Sequence, residues 1–118
     1  MNHLNIASQP RSYAEEYVLK GKVQMKFLGF KRKDGSVGVR NHVLILPSCA
    51  CASETCRVVA SQVLGTKNVI INVGCSDVTA NTEMTQRVLT GFALNANVFG
   101  VVVIGLGCET VGHRELAE

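Results

Sequence analysis

Asn97-Val98-Phe99-Gly100-Val101-Val102-Val103-Ile104-Gly105-Leu106-Gly107-Cys108-Glu109 is the stretch on which the fold turns. Its apolar run, rich in valine and ending in glycines, reads as a strand buried on both faces. Such a strand lies in the middle of a sheet, with other elements packed above and below it. Past Ile104 the run breaks into Gly105-Leu106-Gly107-Cys108-Glu109, a loop with a thiol and a carboxylate. Ligands of open parallel sheets bind outside the carboxyl ends of the strands, so this loop is a candidate site.

Working outward, His42 to Pro47 predicts a second buried strand that ends at a proline. Ser53 opens a helix through Leu64, since Cys56, Val59, Ala60, Val63 and Leu64 form one apolar stripe, and Gly65 can end it. Asn68 to Val73 reads as a short apolar strand. Thr79 or Asn81 caps a second helix running to about Leu94, with Met84, Val88, Leu89 and Phe92 as its apolar face. Val111 to Glu118 reads as the start of a third helix. Nearer the amino end, Val23 to Phe30 alternates like a half-buried strand. Lys33-Asp34-Gly35-Ser36 is a turn, and Ser36 to Asn41 an extended return leg. Residues 1–22 lack apolar periodicity and are expected to be a loosely ordered leader, with a short helical turn around Ala14-Glu15-Glu16-Tyr17. The expected class is α/β. A β-hairpin precedes a three-layer, Rossmann-like parallel sheet built as β-α-β-α-β with right-handed crossovers. Residues 23–118 then form a single domain, expected to be the amino-terminal part of a longer protein or one completed by a partner subunit.

At 118 residues the chain is one domain, and 47% hydrophobic content with 18% charged residues supports a packed core. No apolar run reaches the roughly 20 residues that span a bilayer, and the first 20 residues hold no apolar signal segment. Five cysteines without such a signal point to reduced thiols in a cytoplasmic protein rather than a disulfide framework. The net charge of +3 is uneven, with seven of twelve basic residues between Lys20 and Arg40 against the single acid Asp34. That bias fits a solvated strand-and-turn face or an anion-attracting rim. With no Trp and no recognition-helix pattern, nucleic acid is not an expected partner.

Parallel strands would put three loops on one edge, Ser48 to Cys51, Gly74 to Asp77 and Gly105 to Glu109, each with a cysteine. Free cysteine is a small residue often buried for packing alone, which suffices for Cys56 on its helix stripe. Three thiols from separate loops at one edge suggest a metal or iron–sulfur site instead. Cys51, Cys75 and Cys108 would be its ligands, and Cys49 a fourth or merely a neighbour. Three thiolates leave iron an open position that suits activation of a hydroxyl leaving group. Ser53, Thr79 and Thr110 either cap helices or hold a carboxylate at the helix N-termini. Gly105-Leu106-Gly107 after a strand also fits a dinucleotide loop, but Thr110 stands where the third glycine belongs. His113 lies near the site edge. Arg40 could clamp a carboxylate bidentately, although Arg40-Asn41 precedes the first parallel strand.

Phe27 to Asn41, containing Asp34-Gly35-Ser36-Val37-Gly38-Val39-Arg40-Asn41, then Leu44 to Pro47, Gly74-Cys75-Ser76 and Val103 to Glu109 together resemble the altronate/galactarate dehydratase family. The likeness runs from about Met25 to Glu109, within the amino-terminal part of the large subunit of split-type altronate dehydratases. It implies an iron-dependent hydro-lyase, with Fe2+ or an iron–sulfur cluster, that removes water from a sugar acid to give a 2-keto-3-deoxy acid. A sulfolactate sulfo-lyase branch of the family eliminates sulfite instead. The chain departs from the family pattern at Ile71, a common histidine position, at Asp77, a glutamine position, and in Val78 to Thr82, where acidic residues are usual.

The function expected from all this is a sugar-acid dehydratase-like lyase domain that is incomplete on its own. Cys51, Cys75 and Cys108 hold iron, Glu109 or Asp77 assists proton transfer with a raised pKa, and Arg40, Asn41, Ser76 and Thr110 are candidate substrate contacts. The expected partners are the sugar acid and the remainder of the enzyme or a partner subunit, in a homo-oligomer away from any membrane. The departures also fit a non-catalytic oligomerisation scaffold, and the glycine loop a small nucleotide-binding module.

Overall fold

The computed structural model describes residues 12–18, 24–75 and 79–116. Strands β1 (Ser12–Val18), β2 (Gln24–Lys31) and β3 (Val37–Gly38) form an antiparallel sheet in that order. Strands β4 (His42–Pro47), β5 (Thr66–Asn68) and β6 (Val98–Ile104) form a parallel sheet ordered β5-β4-β6. Helix α1 (Ser53–Gln62) lies between β4 and β5, and α2 (Thr79–Ala93) between β5 and β6. The chain is α/β, with a parallel β-α-β-α-β unit following a β2–β3 hairpin. β1 lies within the stretch expected to be a leader, and Ala14 to Tyr17 is strand rather than helical turn.

The core is built on β4. Leu44, Ile45 and Leu46 are 5%, 3% and 0% exposed. Successive strand residues point to opposite faces, so burying three in a row requires cover on both. The topology supplies it. The chain runs from β4 out to β5, then back across to β6, and right-handed crossovers in opposite directions put α1 and α2 on opposite faces. Leu44 and Leu46 pack with Leu89 of α2 in one buried cluster, which Val69, Ile71, Val101 and Leu116 extend.

Several elements differ from expectation for identifiable reasons. β6 is an edge strand, not a central one. Val102 pairs beside Ile45, but α1 packs on β4 and β5, so Val102 stays 48% exposed, and Phe99, at the register shift opposite His42 and Val43, is 45% exposed. On α2 the inward stripe is Thr85 and Leu89, both buried, and half-buried Ala93. Met84, Val88 and Phe92 each precede one of these by a residue, a rotation of about 100°, and are exposed. β5 is Thr66–Asn68, not Asn68 to Val73. Val69 and Ile71 still turn into the core, but the Ser53 hydroxyl replaces the ladder there, bonding both Ile71 O and Ile71 N at 3.2 Å. α1 stops at Gln62 because Val63 is extended and Leu64 is solvated. Of the expected third helix, the described residues form one turn, closed by Leu116 N donating to Gly112 O at 3.2 Å.

The hairpin is lashed to the amino end of β4. Asp34 Oδ1 accepts from Ser36 N and Oγ at 2.9 and 2.7 Å, and Gly35 takes a φ of 88°. Arg32 donates to Ala96 O, Asn41 Oδ1 and Arg40 O at 2.7, 2.9 and 3.1 Å. Asn97 Oδ1 accepts from Val39 N and Arg40 N at 2.9 and 3.0 Å. Gly38 lies so close to the Ala96 carbonyl that any Cβ would collide with it.

Leu46 is fully buried, so Leu46→Ala should lower the unfolding free energy by about 3 kcal/mol. Leu64, 98% exposed, should tolerate alanine within about 0.5 kcal/mol. Urea denaturation of the two variants beside wild type checks both values.

Candidate metal centre

Parallel pairing carries the carboxyl ends of β4, β5 and β6 to one edge, and the strand order reverses at β4, the place where such sheets bind ligands. The three loops leaving that edge are stitched together. Ser48 N donates to Ile104 O at 3.0 Å, Ala50 N to Val73 O at 2.8 Å, and Thr110 N to Gly74 O at 2.8 Å. Cys75 and Glu109 add an antiparallel bridge. Gly74 makes the approach possible. Its φ is 96°, and a Cβ would stand 2.6 Å from Ser48 O and 2.9 Å from Cys49 Cα.

Four thiols meet there. Cys75 Sγ is 3.6 Å from Cys51 Sγ and 3.8 Å from Cys108 Sγ. The sulfurs of Cys49, Cys75 and Cys108 all lie within 4.8 Å of one another. A tetrahedral ion with bonds of about 2.3 Å holds its sulfurs roughly 3.8 Å apart, so the spacing fits a thiolate-bound metal. Cys49, fully buried, stands in the mutual trio where the sequence suggests Cys51, and exposed Cys51 joins through Cys75. Cys56 is buried on α1, and desolvation raises its pKa.

The thiols are not equivalent. The hydrogen bond from Cys51, followed by that from Cys108, lowers the pKa of Cys75. The donors shift the other way. Cys51 is raised by its bond to Cys75, and Cys108 is pushed up to about 11, again chiefly by Cys75. Cys75 is thus the thiol whose thiolate form its neighbours favour, and metal ligation requires the thiolate.

Glu109 is held at both carboxylate oxygens. Its side chain is 3% exposed, and both oxygens are engaged. Oε2 accepts from Leu106 N and Gly107 N at 3.1 and 2.6 Å, and Oε1 faces His113 Nδ1 at 2.7 Å. The His113 bond, with the backbone donors behind it, lowers its pKa to about 2. Proton transfer by Glu109 would need a raised value, whereas these bonds favour the carboxylate form. Gly105 is required by the same packing. Its Cβ would overlap Glu109 Oε1 and stand 2.8 Å from His113 Nδ1. The missing side chain at Gly105 is therefore explained by contacts within this chain.

The remaining candidates divide. The Thr110 hydroxyl donates to Gly74 O at 3.3 Å and so belongs to the loop stitching. Ser76 and Asp77 lie outside the described residues. Arg40 and Asn41 are not brought to the thiols. They sit at the amino end of β4, a full six-residue strand away, in the hairpin lashing. Cys49 and His113 are at the site without a firm sequence assignment. The Glu109–His113 spacing of i, i+4 is the signal that points to the pair.

Alkylation separates acidity from exposure. In the reduced, metal-free protein at mildly alkaline pH, iodoacetamide should mark Cys75 before the more exposed Cys51 and Cys108, and spare buried Cys49 and Cys56. Peptide mass mapping over time reads the order.

The family described as D-galactarate dehydratase/Altronate hydrolase, second domain, matches residues 29–118. The chain is 36% identical over 88 residues to the (2R)-sulfolactate sulfo-lyase subunit beta of Chromohalobacter salexigens, covering 75% of this chain and 22% of that protein. It is 32% identical over 101 residues to the altronate dehydratase of Bacillus subtilis, covering 77% of this chain and 20% of that protein. With the altronate dehydratase of Escherichia coli it shares 33% identity over 90 residues, 68% of this chain and 18% of that protein. No solved structure matches it significantly. The chain thus spans about a fifth of the length of these curated relatives. With a match that takes in β3 to β6, both helices and all the clustered cysteines, the chain belongs to the D-galactarate dehydratase/altronate hydrolase second-domain family.

Proposed function

We propose that this chain is the metal-bearing part of a sugar-acid dehydratase of the altronate/galactarate type. The observation that carries the reading is the convergence of four thiols from three loops at the carboxyl edge of the sheet, with Cys75 Sγ 3.6 and 3.8 Å from its neighbours. Cys75 and Cys108 are ligands in every arrangement considered, with Cys49 or Cys51 beside them. Soft thiolates favour iron–sulfur clusters or zinc over magnesium and calcium, and iron is the metal we assign. Bound there with an open position, iron supplies a Lewis acid for the departing hydroxyl.

The chain's own residues hold and orient. Gly74 keeps two cysteine loops in contact, and Glu109 fixes the Cys108 loop through two backbone N–H groups. Asp77, two residues beyond Cys75, is retained as a proton-transfer candidate, and Ser76 as a substrate contact. Arg40 and Asn41 are assigned to anchoring the hairpin. Because the chain covers a fifth of its relatives' length, the rest of the active site comes from further polypeptide or a partner subunit. Free thiols suit a reducing, cytoplasmic setting. No helix among the described residues is long and apolar enough to cross a membrane. A second reading, elimination of sulfite from a sulfonated hydroxy acid, is favoured by the 36% identity to a sulfo-lyase subunit.

Anaerobic purification followed by iron and sulfide analysis is the direct test. Iron should be present in wild type and lost from Cys75→Ser and Cys108→Ser. Cys49→Ser and Cys51→Ser then show which thiol completes the set. Altronate and galactarate should be dehydrated once any further region is supplied, and sulfolactate tests the second reading. A wild type that takes up no iron refutes the thiolate site.

A further inference from the structure

Glu109 and His113 form a carboxylate–imidazole pair that holding a metal does not explain. Glu109 Oε1 lies 2.7 Å from His113 Nδ1, while Oε2 is occupied by the Leu106 and Gly107 N–H groups. The carboxylate is nearly buried, but the imidazole is 45% exposed. His113 lines an open cleft of about 300 Å³ with Gly107, Glu109, Gly112, Arg114 and Glu115, directly beside the Cys108 loop. An ionised carboxylate can only accept hydrogen bonds. A neutral His113 bound to it therefore carries its proton on Nδ1, which leaves the Nε2 lone pair available for chemistry. The fixed orientation comes from Gly105, whose missing side chain makes room for both groups. A pair that served only to tie down the turn at 113–116 would need neither a fixed tautomer nor an imidazole open to a cleft.

We infer that His113 is a proton-transfer residue of the elimination and that Glu109 is its positioning residue. The inference rests on the lyase reading above. Nε2 of the neutral ring accepts the proton on the carbon next to the substrate carboxylate. The electron pair of that C–H bond becomes the carbon–carbon double bond as the bond to the neighbouring hydroxyl breaks. The departing hydroxide takes the proton from the imidazolium and leaves as water. The enol product then tautomerises in solvent to the 2-keto acid. Glu109, 2.7 Å from Nδ1, stabilises the transient imidazolium there. The charged groups lining the same cleft are Glu109, Arg114 and Glu115.

The test uses the metal-loaded, full-length enzyme with altronate and galactarate. His113→Gln should cut dehydration by about 10²–10⁴-fold. Exchange of the substrate α-proton with deuterated solvent should fall in parallel, with metal content and thiol count unchanged. Exogenous imidazole should partly restore His113→Ala. Nitrogen NMR of the neutral ring should show the Nδ1–H tautomer in wild type and a shift toward Nε2–H in Glu109→Ala. Wild-type turnover or exchange in His113→Gln, or an Nε2–H tautomer in wild type, overturns the inference and leaves the dehydratase reading intact. A loaded wild type inert on both acids overturns that reading, and the catalytic role of His113 with it, whatever the tautomer shows.

Discussion

The backbone bond from Thr110 N to Gly74 O, made where Gly74 presses against Ser48 and Cys49, is the constraint on which the site depends. It closes the loop after β6 onto the loop after β5. Ala50 N to Val73 O closes that loop in turn onto the one after β4. The cysteines are thereby placed by main chain rather than by their own side chains. This matters for a thiol cluster. Sulfur hydrogen bonds are weak, and four thiols free to rotate away from one another would not assemble unaided.

The two ends of β4 divide the work of the domain. At the amino end Arg32 and Asn97 bind carbonyl and amide groups of the hairpin and of the α2–β6 connection, so the antiparallel sheet cannot swing away from the parallel one. At the carboxyl end the same strand leads into Ser48 and Cys49, both fully buried. Asp34-Gly35-Ser36-Val37-Gly38-Val39-Arg40-Asn41, which carries much of the family likeness, belongs to the structural end. Its glycines, Asp34 and Ser36 are accounted for by a turn and a close approach to Ala96, and Asn41 Oδ1 by its bond from Arg32, while Asn41 Nδ2 is buried without a partner among the described residues. A sequence signature can thus mark a family strongly while standing a whole strand away from the chemistry.

The parallel unit was legible in the sequence because β4 and β6 are continuous apolar runs and α1 has one apolar stripe, although β5, Thr66-Lys67-Asn68, has no such run and was read a few residues late. The alternation of these periods dictates the topology. Cover was not legible. Val102 and Phe99 look like core residues in any window, and only the edge position of β6 shows that they are half exposed. On α2 the true buried stripe includes Thr85, a polar residue that hydropathy sets aside in favour of Met84. The site was legible as three cysteine loops on one edge, since that follows from strand direction alone. Which thiols meet depends on loop paths a few residues long, and there Cys49 proved as central as Cys51. The engagement of Glu109 was beyond reach for the same reason. Its partners are two amides of its own loop and a histidine one turn on.

The edge position of β6 carries a consequence for the molecule in solution. Val98 to Ile104 holds no charge and no proline, and among the described residues nothing pairs with its outer side. Proteins usually guard such an edge with lysine, proline or a covering element, because unpaired N–H and C=O groups offer a template for another strand. Seven uncharged residues, six of them of high β-propensity, are also the kind of segment that stacks with copies of itself. Handled alone, this stretch of polypeptide is prone to edge-to-edge self-association, and its solubility depends on whatever is laid along Val98 to Ile104.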